Sequence, residues 1–385
     1  MKDNRIVRVF KLAMINEIYL DEISVSRKEF QKILGFNFIR SNSLVNRVKR
    51  YKLIWKILLA SVIVFWPLIN IFLSLAHCFK TLLLCIVIGS GDRAQKDVNL
   101  LFTAKLLQLE RKLDDDVNRT WLSLDIKGNG HVDENKMTSI YFLCNVQEVF
   151  YALYLSCISP FMIRKISKPM FSWVFSYTSF KWFLTFQVLE RLKLKSICFA
   201  NHYDRWAVLF DNLDVPEKTL IQHGILSEEI TPPTKLKTIN RLYCYNQKEA
   251  DVFFNNVISS RCDVNFIKLS LELFDIPRNG RTSVLFLSCL PITFEIEREC
   301  MEKLQDFDLI LKPHPVFPIK VYLDLRKNLN FNLIEDSTLF PKVDLVVSYK
   351  STLAYEYQSS GIPVIFYEKG DSPEFIAKAV RDFSH

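Results

Sequence analysis

From residue 283 onward the chain alternates short apolar runs with helix-length segments, and this alternation restricts the fold more than any other feature. SVLFLSC (283–289) precedes helical spacing over 293–305, and DLILK (308–312) precedes 318–328. FNLIE (331–335) precedes a short turn, DLVVSY (344–349) precedes 351–360, and PVIFY (363–367) precedes 372–382. Strands separated by helices are joined by crossovers, which predicts a parallel, doubly wound sheet. The pattern reaches back to about residue 195. SICFAN (196–201), TLIQHG (219–224), NRLYCYN (240–246) and CDVNFIKL (262–269) read as buried strands, with helices over 203–212 and 247–258. The turn-rich stretch FDIPRNGRTS (274–283) separates the two series and sets domains at 90–275 and 276–385.

Composition narrows the chemistry. The 385 residues suffice for two or three domains, and 49% hydrophobic with 24% charged residues is the balance of an ordered, core-forming chain. Only 9 glycines are present, and neither G-x-G-x-x-G nor G-x-x-x-x-G-K-[ST] occurs, which removes the dinucleotide fingerprint and the P-loop. H-E-x-x-H, G-x-S-x-G and C-x-x-C are also missing. The 9 cysteines lie scattered in apolar contexts without metal-ligand spacing, as expected of small buried hydrophobes in a reducing compartment.

Charge is concentrated at one end. Residues 1–56 hold 13 Lys and Arg against 5 Asp and Glu, an excess equal to the +8 of the whole chain. The block closes on Arg47, Lys49, Arg50, Lys52 and Lys56, and ILLASVIVFWPLINIFLSLAHCF (57–79) follows without a charge. Lipid accounts for a basic block beside an apolar run, and nucleic acid does not. At about 1.5 Å per residue the run can cross a bilayer of roughly 30 Å. Pro67, Asn70 and a second apolar stretch at 81–89 after Lys80 predict instead a re-entrant or interfacial hairpin over 57–89, retained rather than cleaved as a signal peptide. Residues 94–117 and 136–195 read as helical and aromatic-rich. DIKGNGHVDENK (125–136) imitates a calcium loop, but Lys127 and Lys136 stand where carboxylates are required, so it reads as a polar turn.

Ligands of doubly wound sheets bind beyond the carboxyl ends of the strands. The residues that follow strands are therefore the chemical candidates. DLILK is followed by Pro313, His314 and Pro315, and the flanking prolines hold the histidine rigidly. DLVVSY is followed by Lys350, Ser351 and Thr352 at a helix start, where hydroxyls and free amides form an anion site without a glycine loop. TLIQ is followed by His223 and Gly224, the glycine permitting an unusual turn and close approach of a ligand. Glu356, one turn into the Ser351 helix, is placed to reach a ribose or sugar hydroxyl.

LILKPHP, then YKSTLAYEYQSSGIPVIFY, with IQHG upstream, resembles the carboxyl-terminal half of GT-B glycosyltransferases of bacterial surface-polysaccharide synthesis over about residues 196–382. The motifs are similar to those of sialyl- and polysialyltransferases and of CDP-glycerol glycerophosphotransferases. The resemblance implies an α/β fold of GT-B type: two Rossmann-like domains facing a cleft, with a helical membrane-associated N-terminal region. It implies that His314, Ser351 and Thr352 bind the donor and that His223 is the catalytic base; from their positions, Lys312 or Lys350 is the expected cation partner of the donor phosphate, Glu356 lies on the donor side, and Asp204 and Gly224 lie on the acceptor side. The acidic D/E-D/E-G motif of those sialyltransferases is missing, since Glu228-Glu229 is followed by Ile230; a histidine, or a carboxylate such as Asp204, then serves as base.

The expected reaction is inverting transfer of a sugar from a nucleotide-activated donor, such as a CMP-sugar, to a lipid-linked or growing glycan. The alternatives are CDP-glycerol-type glycerophosphotransfer and a non-catalytic membrane-bound assembly protein with a degenerate fold of this type. No cofactor is expected, and no metal, because no D-x-D stands at a suitable strand end. The expected partners are donor, glycan or lipid-linked acceptor and a membrane surface, with no nucleic acid. Basic residues favour the cytoplasmic side, which places the enzyme on the cytoplasmic face of the inner membrane.

Overall fold

The computed structural model describes residues 2–26, 57, 61, 64–88, 97–101, 120–123, 137–166, 172–226, 228–267, 271–277, 280–288, 293–314, 319–336, 338–349, 351–368 and 370–383. The calcium-like turn at 125–136, Lys350 and the whole basic stretch from 47 to 56 lie outside them. The chain forms two compact units, Met1–Ile267 and Lys268–His385, so the division falls before the turn at 274–283.

The first unit is built on seven parallel strands: β1 (Asp97–Leu101), β2 (Thr120–Ser123), β3 (Met137–Ser139), β4 (Ser196–Phe199), β5 (Glu217–Ile221), β6 (Arg241–Cys244) and β7 (Asp263–Phe266). Their spatial order is β3-β2-β1-β4-β5-β6-β7. The direction of winding therefore reverses between β1 and β4. β4 is buried at every position, because both faces of a parallel sheet are covered. The helices are α1 (Lys2–Ser26), α2 (Trp66–Ile88), α3 (Val146–Ile166), α4 (Ser179–Leu192), α5 (Arg205–Asp211) and α6 (Gln247–Val252).

Three sequence expectations change here. Residues 97–101 of the segment read as helical form a strand, because a short apolar run carries the same pattern in either state. The amino-terminal block is not a separate basic segment over its first turns: Ile6, Val9, Phe10, Ala13 and Met14 of α1 are buried at helical spacing. The Phe10 ring meets Trp182 edge-on at 5.2 Å and Phe183 at 4.6 Å. Of the hairpin expected over 57–89, the described residues 66–88 hold no turn. α2 runs unbroken from Trp66 through Lys80 to Ile88, with Pro67 in the first turn, where a missing N–H costs nothing.

The second unit carries β8 (Leu273–Asp275), β9 (Ser283–Ser288), β10 (Asp308–Pro313), β11 (Asn332–Leu333), β12 (Phe340–Lys342), β13 (Leu345–Tyr349) and β14 (Val364–Tyr367). Its helices are α7 (Phe294–Lys303), α8 (Ile319–Leu325), α9 (Thr352–Ser359) and α10 (Pro373–Phe383). Five strands form a parallel sheet ordered β11-β10-β9-β13-β14, and β12 pairs with β8 apart from it. This sheet reverses at β9. Its core includes a buried carboxylate, Glu297, which accepts hydroxyl hydrogen bonds from Ser288, from Thr293 at 2.8 Å and from Tyr367 at 2.6 Å. Ser288 and the Tyr322 hydroxyl are 2.6 Å apart, so the ends of β9 and β14 are tied to α7 and α8 through one polar cluster. The chain is thus an α/β protein with two doubly wound parallel sheets.

Candidate functional site

Each sheet presents chemistry-bearing side chains beyond its carboxyl edge, beside its point of reversal, as the topology requires of a ligand site. In the first unit β4 and β5 are neighbours with Phe199 paired to Leu220, so His202 and His223 each stand three residues past a paired position. Their ring centroids are 4.5 Å apart at an interplanar angle of 35°. His202 is 6% exposed and lies edge-on to Phe253 at 5.2 Å. One ring N–H donates to the Ile221 carbonyl. Its Nε2 is buried with no hydrogen-bond partner among the described residues. Burial first, and then the neighbouring His223, hold the His202 pKa well below 6.5, so its Nε2 is an unprotonated lone pair at neutral pH.

The loop carrying His223 is fixed by the residue before it. Gln222 is fully buried and donates from Nε2 to the Glu249 carboxylate at 2.6 Å and to the Gly224 carbonyl at 2.9 Å, while its Oε1 accepts from the Tyr245 N–H at 3.0 Å. Asn246 caps α6 by accepting from the Glu249 N–H at 3.0 Å. Gly224 has no positive φ, and a Cβ placed there meets no atom within 4 Å. Its position is therefore beside open space.

Asp204 opens α5 as its cap. Oδ1 accepts the Trp206 and Ala207 N–H groups, both at 3.0 Å, and Oδ2 accepts Asn201 Nδ2 at 2.7 Å. Burial, followed by the nearby Glu17 carboxylate, pushes its pKa up to about 6 against those three donors. Glu17 comes from α1 and pairs with the buried Arg205 guanidinium at 3.2 Å. Arg205 also donates to the Phe175 carbonyl at 2.9 Å and to the Thr178 hydroxyl. Asn16 closes the same contact by donating to the carbonyls of Tyr203 at 3.0 Å and Thr234 at 2.9 Å. The amino-terminal helix therefore fixes the loop that bears His202 and Asp204.

In the second unit Pro313 of β10 pairs with Ser288 of β9, and Ser348 of β13 pairs with Leu287. His314 and Ser351 thus leave the same edge from strands two places apart, about 10 Å at the usual strand spacing. His314 is exposed. Ser351 has extended backbone, accepts the Ala354 N–H at 3.2 Å and lies 3.2 Å from the Ser348 hydroxyl. Thr352 begins α9, whose free amides and dipole favour an anion at that end. Glu356 is buried in α9 rather than presented at its surface.

Lys312 has contacts within its own unit that the sequence did not reveal. It is 5% exposed, and its ammonium donates to the Asp336 and Leu339 carbonyls at 2.7 and 2.8 Å with the Phe340 ring 5.0 Å away. Its side chain is thus engaged by the carbonyls of Asp336 and Leu339. His202 is the functional candidate that sequence reasoning missed. ANHYD follows a buried strand just as QHG does, but pairing the two requires knowing that β4 and β5 are neighbours.

No protein-family model matches the chain, and no curated protein matches it. Among solved structures it is similar to S. aureus TarM in complex with fondaparinux, alpha-GlcNAc-glycerol and UDP, at 13% identity and a TM-score of 0.32. That likeness covers 50% of this chain and 46% of TarM, so the chain spans about half the length of that protein. It is also similar to the wall teichoic acid polymerase TagF, at 10% identity and a TM-score of 0.40 over 82% of this chain and 88% of that one. Acinetobacter baumannii MurG is similar at 11% identity and a TM-score of 0.34, with 75% and 83% covered. The fold class rests on the two strand orders described above.

Proposed function

We propose that the chain is an inverting, metal-independent glycosyltransferase that moves a sugar from a nucleotide-activated donor, such as a CMP-sugar, to a lipid-linked or growing surface glycan on the cytoplasmic face of the inner membrane. One observation carries the reading: the histidines, hydroxyls and helix start singled out by their motifs all stand at the carboxyl edges of two doubly wound parallel sheets.

The second unit takes the donor in this reading. The phosphate is met by Ser351, Thr352 and the amino end of α9, with His314 beside it. Glu356 is left to hold α9, and Lys312 to brace the turn behind His314. The first unit takes the acceptor near Gly224. The acceptor oxygen attacks the anomeric carbon from the face opposite the nucleotide, the carbon–oxygen bond to phosphate breaks, and its electron pair leaves with the nucleotide. His223 removes the acceptor proton, and the lone pair of neutral His202 stabilises the imidazolium that forms. Asp204, with its raised pKa, sets the loop between His202 and α5.

Incubation of the full chain with CMP-, CDP-, UDP- and GDP-activated donors, with nucleotide release followed over time, tests the class. The reading expects release from one donor set, dependent on His223. Release from CDP-glycerol and from no nucleotide sugar selects glycerophosphotransfer, and binding without release or transfer for every donor and acceptor selects an assembly role.

A further inference from the structure

α2 packs along α3 with its polarity inverted. The positions it turns toward the protein are Trp66, Asn70, Ser74, Cys78 and Thr81, with Asn70 1% and Ser74 3% exposed. Asn70 Nδ2 donates to the Ser156 carbonyl of α3 at 2.9 Å, and the Ser74 and Ser156 hydroxyls are 2.7 Å apart. The positions it turns outward are Leu68, Phe72, Leu75, Phe79 and Leu83, with Phe72 71% and Phe79 66% exposed. α3 adds exposed Phe150, Tyr154 and Phe161. A helix pair surrounded by water buries its apolar stripe. Small and hydroxyl-bearing residues inside, with aliphatic and aromatic residues outside, is the pattern of helices solvated by hydrocarbon.

We infer that this outward face of α2 and α3 is a lipid-binding surface, seated in the interfacial layer of an anionic bilayer with both helices lying along the membrane plane. Charge identifies the occupant. Lys80, Arg164 and Lys165 are exposed on the two helices, whereas their single acidic residue, Glu148, is buried in an ion pair with Arg191 at 2.7 Å. The basic run Arg47 to Lys56 precedes α2 by nine residues in the sequence. Cations around an apolar patch suit anionic headgroups over acyl chains. Orientation follows from packing. α2 contacts protein from Trp66 to Thr81, and the inward face of α3, including Val149, Ala152, Leu155 and Ile163, belongs to the core of the first unit. A spanning α2 would carry that unit into the hydrocarbon. The inference stands apart from the glycosyl-transfer reading, since lipid binding is scored without turnover.

The test is co-sedimentation of the full chain with vesicles of phosphatidylcholine containing phosphatidylglycerol, set against phosphatidylcholine alone. The wild type is expected to pellet preferentially with the anionic vesicles. Phe72→Ser with Phe79→Ser should weaken partitioning by about tenfold or more with the melting temperature unchanged, because both rings are exposed. Lys80→Gln with Arg164→Gln and Lys165→Gln should remove the preference for phosphatidylglycerol. A fluorescent residue in place of Leu68 or of Leu83, read by lipids brominated at different acyl depths, should report one shallow depth at both positions. Depths differing by about 20 Å, from 15 residues at 1.5 Å rise, would overturn the in-plane arrangement. Failure of the wild type to bind either vesicle would overturn the lipid assignment, as would lipid-independent dimers abolished by the Phe72 and Phe79 substitutions, which make the occupant a second copy. A large loss of melting temperature in that variant would show that the chain itself covers the face and equally overturn it.

Discussion

His202 and His223 hold their imidazoles 4.5 Å apart because they extend from adjacent parallel strands at the same register. His202 is kept neutral by burial and by its neighbour, which leaves its lone pair available to stabilise a protonated His223. His223→Ala is expected to lower turnover by about 10² or more, the usual scale for a general base, with donor affinity within about twofold. His202→Gln should lower turnover less and move the acid limb of the pH–rate profile. A steady-state pH series on the three proteins checks this, and an unshifted limb in His202→Gln would separate the two rings functionally.

The same loop makes opposite contributions to stability against pH. His202 has a folded-state pKa below its unfolded value, so its contribution is complete above pH 6.5 and is lost as pH falls below it. Asp204 has a folded-state pKa raised from 3.8 to about 6, so the protonated form is favoured in the folded chain and stability declines as pH rises from 3.8 through 6. His202→Gln is expected to flatten the acid-side loss. Asp204→Asn keeps a competent cap and should raise stability at pH 8 relative to pH 4, by at most about 3 kcal/mol for a displacement from 3.8 to about 6. Melting curves across pH 4–8 report both slopes, and equal slopes in Asp204→Asn and wild type would contradict the second.

Lys312→Met should destabilise the second unit by about 1–2 kcal/mol, because its ammonium's hydrogen bonds to the Asp336 and Leu339 carbonyls are lost while water reaches both of these exposed positions. Chemical denaturation measures this directly. A stability loss below about 0.5 kcal/mol would mean that the ammonium is free for another role.

Gly224→Ala should leave stability within about 0.5 kcal/mol, since it has no positive φ and the added methyl meets no atom within 4 Å. If the acceptor passes close to Gly224, the same substitution raises KM for the acceptor while donor affinity holds. Unchanged kinetics would remove Gly224 from the acceptor side.

The second sheet was legible in the sequence because its strands are continuous apolar runs with clear turns: DLVVSY at 344–349 corresponds to Leu345–Tyr349, and PVIFY at 363–367 to Val364–Tyr367. β1 was not, since five residues of DVNLL beside charged neighbours fit a helix as well. α1 looked like a basic surface segment when its charges were summed, but its apolar residues recur on one face, and the face decides burial. The Ser351 cap was readable from strand, polar pair and helix in succession. The engagement of Lys312 and the coupling of Glu17 to Arg205 were not, because each joins residues distant in sequence that only the fold brings together. The continuity of α2 through Lys80 was hidden for another reason: a single cation in an apolar run suggests a break, whereas here it lies on the exposed face.

Central to the account is the assignment of donor binding to the His314 and Ser351 edge and of proton transfer to the His202 and His223 edge. Calorimetric titration of CMP, CDP, UDP and GDP into wild type, His314→Ala and His223→Ala tests it most directly. The account predicts that one nucleotide binds the wild type, binds His223→Ala about equally, and binds His314→Ala at least about tenfold more weakly, the loss of one charge-assisted contact. Equal affinity in wild type and His314→Ala, or binding abolished by His223→Ala alone, would contradict it.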